Sequence, residues 1–150
     1  VEQVRNNDRV LVPGDGTNIH HLVSVQNVAR AIRTVAENGE AGEAYNVGDR
    51  QVLTLGDVVG QIASAIGTNV EIVTTSRREL TAGDLLPTDF PLYNPQPHIL
   101  STEKLADIGW EPVSPHEAIS ETVTVDYETE RDPGPDEDAV AAVLDSLNQP

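Results

Sequence analysis

The chain has 150 residues, with 25 acidic side chains against nine basic ones, a formal net charge of −16 and no cysteine. Its length is that of one ordinary domain with room for a core. Without cysteine it has no disulfides, no thiolate metal site and no cysteine nucleophile. Such an acidic surface repels the phosphates of nucleic acid, so we expect no nucleic-acid partner.

Lysine is almost absent, because eight of the nine basic residues are arginine and the ninth is Lys104. An acidic excess with so little lysine resembles proteins of salt-saturated cytoplasm, in which screening removes the repulsion between carboxylates. We interpret it as halophilic rather than as simple solvation by charge. The sequence has no run of roughly 18 apolar residues and no signal-peptide pattern. We therefore expect a cytoplasmic protein with no membrane partner.

The first half of the chain shows two predicted helices and three predicted strands. Ser24 precedes a helical apolar period over about 25–37, which Asn38-Gly39 is expected to end in the left-handed conformation. Thr54 and Asp57 form a capping box for a second helix over about 55–66, closed by Gly67. Short alternating or apolar runs predict strands over 9–12, 44–47 and 70–74.

The second half begins with a proline-rich segment, 76–97, which we interpret as an ordered binding loop. Ser101 is expected to cap a short helix over 102–107, and Ser114-Pro115-His116-Glu117 predicts a helix from 115 to about 128. Residues 132–135 read as a hinge, and 136–147 as an amphipathic docking helix. We thus divide the chain into a lobe, 1–131, and an acidic hinge with a C-terminal helix, 132–150.

Common enzyme signatures are missing. Gly14 and Gly16 begin a dinucleotide fingerprint, but Ile19 stands where its third glycine belongs. The sequence has neither a phosphate loop nor a Gly-x-Ser-x-Gly elbow. The four histidines include no pair four residues apart, so we predict no metal site.

Several short motifs nevertheless occur in an order and at spacings that match one known protein family. These are Gly14-Asp15-Gly16, the run HHLVSVQNVARAI at 20–32, GEAYNVG at 42–48, STEK at 101–104 and IGWEP at 108–112. Over about residues 1–128 the chain resembles the C-terminal portion of an NAD-dependent epimerase/dehydratase, an extended short-chain dehydrogenase/reductase. The resemblance implies an α/β fold: a small mixed sheet with helices, forming the C-terminal lobe of a Rossmann-type enzyme.

In that family the N-terminal half carries the glycine-rich NAD(P) loop and a catalytic Tyr-x-x-x-Lys pair. Here the residues four after Tyr45, Tyr93 and Tyr127 are Asp49, Pro97 and Arg131, so no such pair exists. The resemblance therefore implies a substrate-binding lobe that is inactive alone. Its partner would be an N-terminal dinucleotide-binding domain, and NAD or NADP would be bound mainly by residues outside this chain.

The resemblance also suggests where a nucleotide-sugar would bind. Family members hold the diphosphate with one arginine before the strand of the 20–25 region, where this chain has His20, and another in the later loop. Arg77-Arg78 with Gly83-Asp84 resembles that later element. Arginine suits the role, because its guanidinium group donates two parallel hydrogen bonds to two phosphate oxygens. We therefore expect Arg78 and Asp84 to bind substrate, and we add Arg77, His20, Tyr93 and His98 as further candidates. Exposed arginines that merely offset an acidic surface are the structural alternative.

Two other functions stay open. The chain would be a stand-alone small-molecule binding or interaction module derived from such an enzyme, or an association partner whose terminal helix docks on another chain. An exposed apolar patch, where a dinucleotide-binding domain would pack, distinguishes a lobe from a finished module.

Overall fold

A computed structural model describes residues 1–125 and 134–148. Its elements in chain order are α1 (Glu2–Asn6), β1 (Arg9–Pro13), β2 (Ile19–His20), α2 (Val25–Asn38), β3 (Leu53–Thr54), α3 (Leu55–Ile66), β4 (Glu71–Thr75), α4 (Arg77–Leu80), α5 (Glu103–Asp107), α6 (Pro115–Val125) and α7 (Glu137–Leu147). Two 3₁₀ turns, Thr81–Gly83 and Pro87–Asp89, follow α4.

In the described part of the chain, four strands form two small sheets. β1 and β4 are parallel, with Arg9 opposite Glu71 and Pro13 opposite Thr75. β2 and β3 are antiparallel, with Ile19 opposite Thr54. The predicted strands 9–12 and 70–74 and the mixed α/β class are thus confirmed, whereas β2 and β3 are too short to leave a sequence signal.

Helices α2 and α3 begin where their caps predict. The Ser24 hydroxyl accepts from the Asn27 N–H, and Thr54 and Asp57 form the reciprocal box of α3. Gly67 ends α3 in the left-handed region, at φ 78°. The expected left-handed ending of α2 is wrong, because Gly39 has φ −73° and its N–H still bonds the Val35 carbonyl. The helix ends at Asn38, and the chain continues in extended conformation from Gly39.

The core consists of three clusters. The first joins α1, β1, α3 and α6 around Val10, Val58 and Val123. The second packs β1 and the 80–93 segment against α7, whose Val143 is fully buried. The third surrounds Trp110, with Ala31 and Leu105. The apolar face of α7 thus packs against β1 and the 80–93 segment of the same chain.

Three further predictions need correction. Residues 44–47 form no strand, because no strand in the described part of the chain lies beside them. α5 begins at Glu103, with Thr102 rather than Ser101 at the N-cap position, although the Thr102 side chain makes no capping bond and the Ser101 hydroxyl accepts from the Glu103 N–H at 3.4 Å. The 76–97 loop is partly helical, because Ser76 and Glu79 form a capping box for α4. The first two residues of the predicted hinge 132–135, the domain boundary after 131 and the continuation of α6 beyond Val125 to about 128 lie outside the described residues.

Candidate functional site

Two loops leave the sheet at the carboxyl end of the parallel pair β1–β4. The Gly14 N–H bonds the Thr75 carbonyl at 2.8 Å, so the turn after β1 and the start of α4 lie side by side. Gly14 and Gly16 both have positive φ, which glycine adopts without strain. In open α/β folds, ligands bind outside the carboxyl ends of parallel strands. We call this region the carboxyl edge: the 14–18 turn, the 76–84 segment and the 93–94 turn.

Three of the expected substrate residues lie in the 76–84 segment. Arg77 and Arg78 are exposed in the first turn of α4. Asp84 is the C-cap of the 3₁₀ turn Thr81–Gly83. Its backbone is in the left-handed conformation, at φ 56°, which an aspartate adopts at a local cost. The segment is anchored from below, since Leu80 is fully buried.

The other three candidates lie on neighbouring segments. His20 ends β2 and is half-buried; its Nε2 finds no hydrogen-bond partner among the described residues, and burial lowers the pKa of its ring. Tyr93 packs on the second core cluster, and His98 is exposed. The Asn18 amide donates to the Asn94 carbonyl at 3.2 Å, which ties the 14–18 turn to the segment of Tyr93.

The six candidates do not form one connected constellation. Among the described residues, no hydrogen bond or ion pair joins any two of them. What the structure brings together is the loops that carry Arg77, Arg78 and Tyr93, through Gly14 and Asn18. These arginines therefore remain candidates by position.

A second region was not predicted: a cleft of about 500 Å³ beside His21. The Leu100 N–H donates to His21 Nδ1 at 3.0 Å. The opposite ring nitrogen, Nε2, therefore carries the hydrogen, and it donates to the Asp49 carbonyl at 2.6 Å. His21 thus holds two walls of the cleft together. The cleft is lined by His21, Asp49, Arg50, Val52, Ile99, Leu100, Thr102, Glu103, Ala106 and Asp107.

Asn27 is the buried polar centre behind this cleft, with no exposed surface. Its amide donates to Asp49 Oδ1 at 2.9 Å and to the Val113 carbonyl at 3.2 Å, and its oxygen accepts from the Val113 N–H. The backbone carbonyl of Asn27 accepts from Trp110 Nε1. Burial raises the pKa of the Asp49 carboxyl, against the opposing effects of the Asn27 hydrogen bond and the His21 ring.

Gly48 is the sequence signal that points to the cleft. A Cβ at Gly48 would lie 2.6 Å from His21 Cε1 and 2.7 Å from Nε2, so only glycine fits beneath the ring. In the sequence this glycine appears as part of a family motif, without an obvious contact. A mainly apolar cavity of about 210 Å³ lies on the other side of Asp49, against Leu22, Ile62 and Ile119.

The 14–16 glycines do not form the dinucleotide fingerprint, because the turn after β1 leads into β2 rather than directly into a helix. The N-terminus of α3 nevertheless lies against this turn, since the Gly16 carbonyl accepts from the Gly56 N–H at 3.0 Å. Residues 1–125 and 134–148 also contain no cluster of three histidine or acidic side chains placed to hold a metal ion. None of the helices described is long and apolar enough to cross a membrane.

Comparison with known proteins identifies the relatives. Residues 1–48 match the model of the NAD dependent epimerase/dehydratase family. The chain is 30% identical over 111 residues to dTDP-glucose 4,6-dehydratase of Salmonella typhimurium, covering 73% of this chain and 30% of that protein. It is 26% identical over 99 residues to a trifunctional UDP-glucose 4,6-dehydratase/UDP-4-keto-6-deoxy-D-glucose 3,5-epimerase/UDP-4-keto-L-rhamnose-reductase of Arabidopsis thaliana, covering 66% of this chain and 13% of that protein.

The fold has the same relatives. A crystal structure of dTDP-glucose 4,6-dehydratase from Bacillus anthracis in complex with NAD superposes with a TM-score of 0.62 at 23% identity, covering 86% of this chain and 37% of that one. The chain therefore spans about a third or less of the length of these relatives. Residues 1–48 thus match the NAD-dependent epimerase/dehydratase family, and the chain as a whole resembles part of the dTDP-glucose 4,6-dehydratases in sequence and in fold.

Proposed function

We propose that this chain is the substrate-binding part of an NAD(P)-dependent enzyme that acts on a nucleotide-sugar. The observation that carries the proposal is the register of β1 and β4, which sets Pro13 opposite Thr75. This register places the 14–18 turn and the arginine-bearing 76–84 segment at one edge of the sheet. The named activities of the relatives, dehydration of dTDP-glucose and UDP-glucose, supply the substrate class.

In this proposal the arginines hold the diphosphate at the carboxyl edge. Arg77 and Arg78 are exposed and engage in no ion pair within residues 1–125 and 134–148, so their guanidinium groups are available. Two parallel N–H donors match two phosphate oxygens, which makes the contact strong and oriented. Tyr93, His20 and His98 would border the sugar or base, and Asp84 would accept from a hydroxyl group.

The chain alone performs no hydride transfer in this proposal. It has no Tyr-x-x-x-Lys pair, and its glycine turn lacks the third glycine of the dinucleotide fingerprint. Its contribution is to orient the substrate and to exclude water when it closes against a dinucleotide-binding domain. Reduction of NAD by the isolated chain with dTDP-glucose, followed at the absorbance of NADH, would contradict this part.

Calorimetric titration of the 150-residue chain with dTDP-glucose tests the site. Because a hydrogen bond to a charged group contributes about 1.5–3 kcal/mol, Arg78→Gln should weaken binding roughly 10- to 100-fold. The matched control is Arg33→Gln, since Arg33 lies on the surface of α2 and its one ion pair within the described residues is with Glu37, at 2.9 Å. Equal affinities for both variants would remove Arg78 from the site, and no binding by the unmodified chain would overturn the proposal.

A further inference from the structure

Helix α7 packs directly against the arginine-bearing 76–84 segment. A Cβ at Gly83 would lie 2.2 Å from the Ala139 carbonyl oxygen and 3.0 Å from Val143 Cγ2. Gly83 does not have a positive φ, so its backbone conformation is open to other residues. Glycine is therefore required at position 83 by the close approach of α7 and not by a turn.

The hydrogen bonds of the 76–84 segment are local. Within the part of the chain that the structure describes, these residues bond only to partners between positions 75 and 85. α4 is four residues long, and a single helical turn is not stable by itself, because its nucleation costs more than its few hydrogen bonds return. Side-chain packing must therefore hold the segment in place.

That packing comes from the second core cluster. Leu80 and Val143 are both 0% exposed and Leu85 is 7% exposed, and the three pack together with the buried face of β1. The segment starts directly after Thr75, which belongs to the β1–β4 ladder. The sheet thus fixes the start of the 76–84 segment, and α7 fixes its end.

We propose that α7 is a positioning element of the substrate site and that Val143 is its central positioning residue. By holding Leu80 and Gly83, α7 keeps the exposed arginines of the 76–84 segment at the carboxyl edge. This inference rests on the proposed function, in which those arginines bind the diphosphate. α7 follows residues 1–128, over which the sequence resembles the family, so the resemblance does not include this support.

Binding of dTDP-glucose by variants of the full 150-residue chain tests the positioning role. Val143→Ala removes two methyl groups at the contact with the 76–84 segment. The segment should then adopt its binding conformation for only part of the time, and the apparent affinity falls with that fraction. We expect an affinity about three- to tenfold weaker, measured by calorimetric titration at a temperature at which circular dichroism shows the variant to be folded.

Val123→Ala is the matched control. Val123 lies on α6, is 4% exposed and belongs to the first core cluster, which does not include the 76–84 segment. Loss of the same two methyl groups there should destabilise the fold to a similar degree but leave the affinity for dTDP-glucose unchanged. A purely structural role of Val143 predicts equal affinities for the two variants, and that result would overturn the inference.

A double-mutant cycle with Arg78→Gln tests whether α7 acts through the arginines. Val143→Ala should weaken binding less in the Arg78→Gln background than in the unmodified chain, because one of the contacts that it positions is already lost. Fully additive losses in the cycle would also overturn the positioning role.

Hydrogen exchange measures the support of the segment directly and needs no ligand. The amides of Leu80, Asp84 and Leu85, which bond within the segment, should exchange faster in Val143→Ala than in Val123→Ala. Equal exchange in the two variants would contradict the role of α7. If Val143→Ala does not fold, Val140→Ala replaces it in every measurement, since Val140 is half-buried in the same cluster and the change is the same.

Failure of the positioning role can be told apart from failure of the proposed function. If the unmodified chain binds dTDP-glucose and both valine variants bind it equally well, only the positioning role is overturned. If the unmodified chain does not bind dTDP-glucose, the proposed function is overturned and the positioning role with it.

Discussion

Gly48 has no side chain, and this allows the His21 ring to lie against the backbone at position 48. Gly48→Ala places a methyl group 2.6 Å from the ring, so either the ring or the backbone must move. We expect a loss of about 1–3 kcal/mol in the free energy of unfolding, measured by urea denaturation. The loosened ring should also release the Leu100 N–H, which will then exchange faster.

Gly60→Ala is the matched control for this change. Gly60 lies inside α3, and a Cβ there meets nothing within 4 Å. Since alanine is the better helix former, we expect a gain of about 0.5–1 kcal/mol. Equal effects at both glycines would show that the contact with His21 does not limit position 48.

The buried carboxyl of Asp49 predicts a pH dependence. Burial raises its pKa in the folded state above the ordinary value of 3.8, so the folded chain binds this proton more tightly than the unfolded chain does. Its contribution to stability is therefore present below that value and is lost as pH rises through the folded-state pKa. Asp49→Asn keeps an oxygen for the Asn27 amide but carries no charge.

Relative to the unmodified chain, Asp49→Asn should gain stability as the pH rises from below 3.8 towards neutrality. Urea unfolding of both proteins across this range measures the difference. A difference that stays constant with pH would mean that the Asp49 carboxyl titrates as an ordinary exposed one.

Residues whose roles depend on distant partners were the ones that sequence analysis missed. His21 bonds residues 28 and 79 positions away, and Asn27 bonds Val113, 86 positions away. No local pattern encodes such contacts. In contrast, the burial of Trp110 agrees with its residue type alone, because tryptophan is highly buried on average.

At the scale of elements, the capping box of α3 provides the clearest test. The Asp57 N–H donates to the Thr54 hydroxyl at 3.0 Å, and Asp57 Oδ2 accepts from the Thr54 N–H at 2.9 Å. Thr54→Ala should lower the unfolding free energy by about 1–2 kcal/mol, because an orphan N–H loses its acceptor. Thermal and urea unfolding measure the loss.

Thr34→Ala is the corresponding control inside α2. Its hydroxyl only bonds back to the Arg30 carbonyl, at 3.0 Å, and caps nothing. Alanine there should leave stability unchanged or raise it slightly. A loss as large as that of Thr54→Ala would assign the effect to threonine removal in general rather than to the cap.

Local signals predicted the helices well, and non-local pairing limited the strands. α2 and α3 begin at predicted caps and are long enough for their apolar period to be read. The two-residue strands β2 and β3 exist only because they pair with each other. Segment 44–48 is the reverse case: its alternation predicts a strand, but a ladder requires a neighbour, and the described chain supplies none.

At the scale of the whole molecule, the net charge of −16 predicts that salt stabilises the fold. Screening shortens the range of repulsion from about 10 Å at 0.1 M salt to about 3 Å at 1 M. We therefore expect the melting temperature to rise over this range of KCl concentration. A melting temperature that stays level or falls would contradict our halophilic interpretation of the composition.

The control for this effect is pH. Near the sequence pI of about 4.3 the net charge approaches zero, so the rise with KCl should shrink there. A rise of the same size at both pH values would indicate strengthened apolar burial instead of screening.

The candidate site could be predicted only in part. The arginines of the 76–84 segment were predicted from the sequence. Their position beside the 14–18 turn was not, because it depends on the pairing of β1 with β4. In that pairing Arg9 lies opposite Glu71, about 60 residues away along the chain. The cleft beside His21 likewise forms from segments that meet only in the folded chain. The central claim is that the substrate binds at the carboxyl edge.

The most direct test of that claim is an NMR titration of the ¹⁵N-labelled 150-residue chain with dTDP-glucose. We predict that the amide signals of the 14–18 turn and of residues 76–84 shift together and saturate. Those of α7 should not shift, except near Ala139 and Val143, which lie directly against Gly83. Shifts confined to the cleft around His21 and Arg50, or no saturable shifts, would contradict the account.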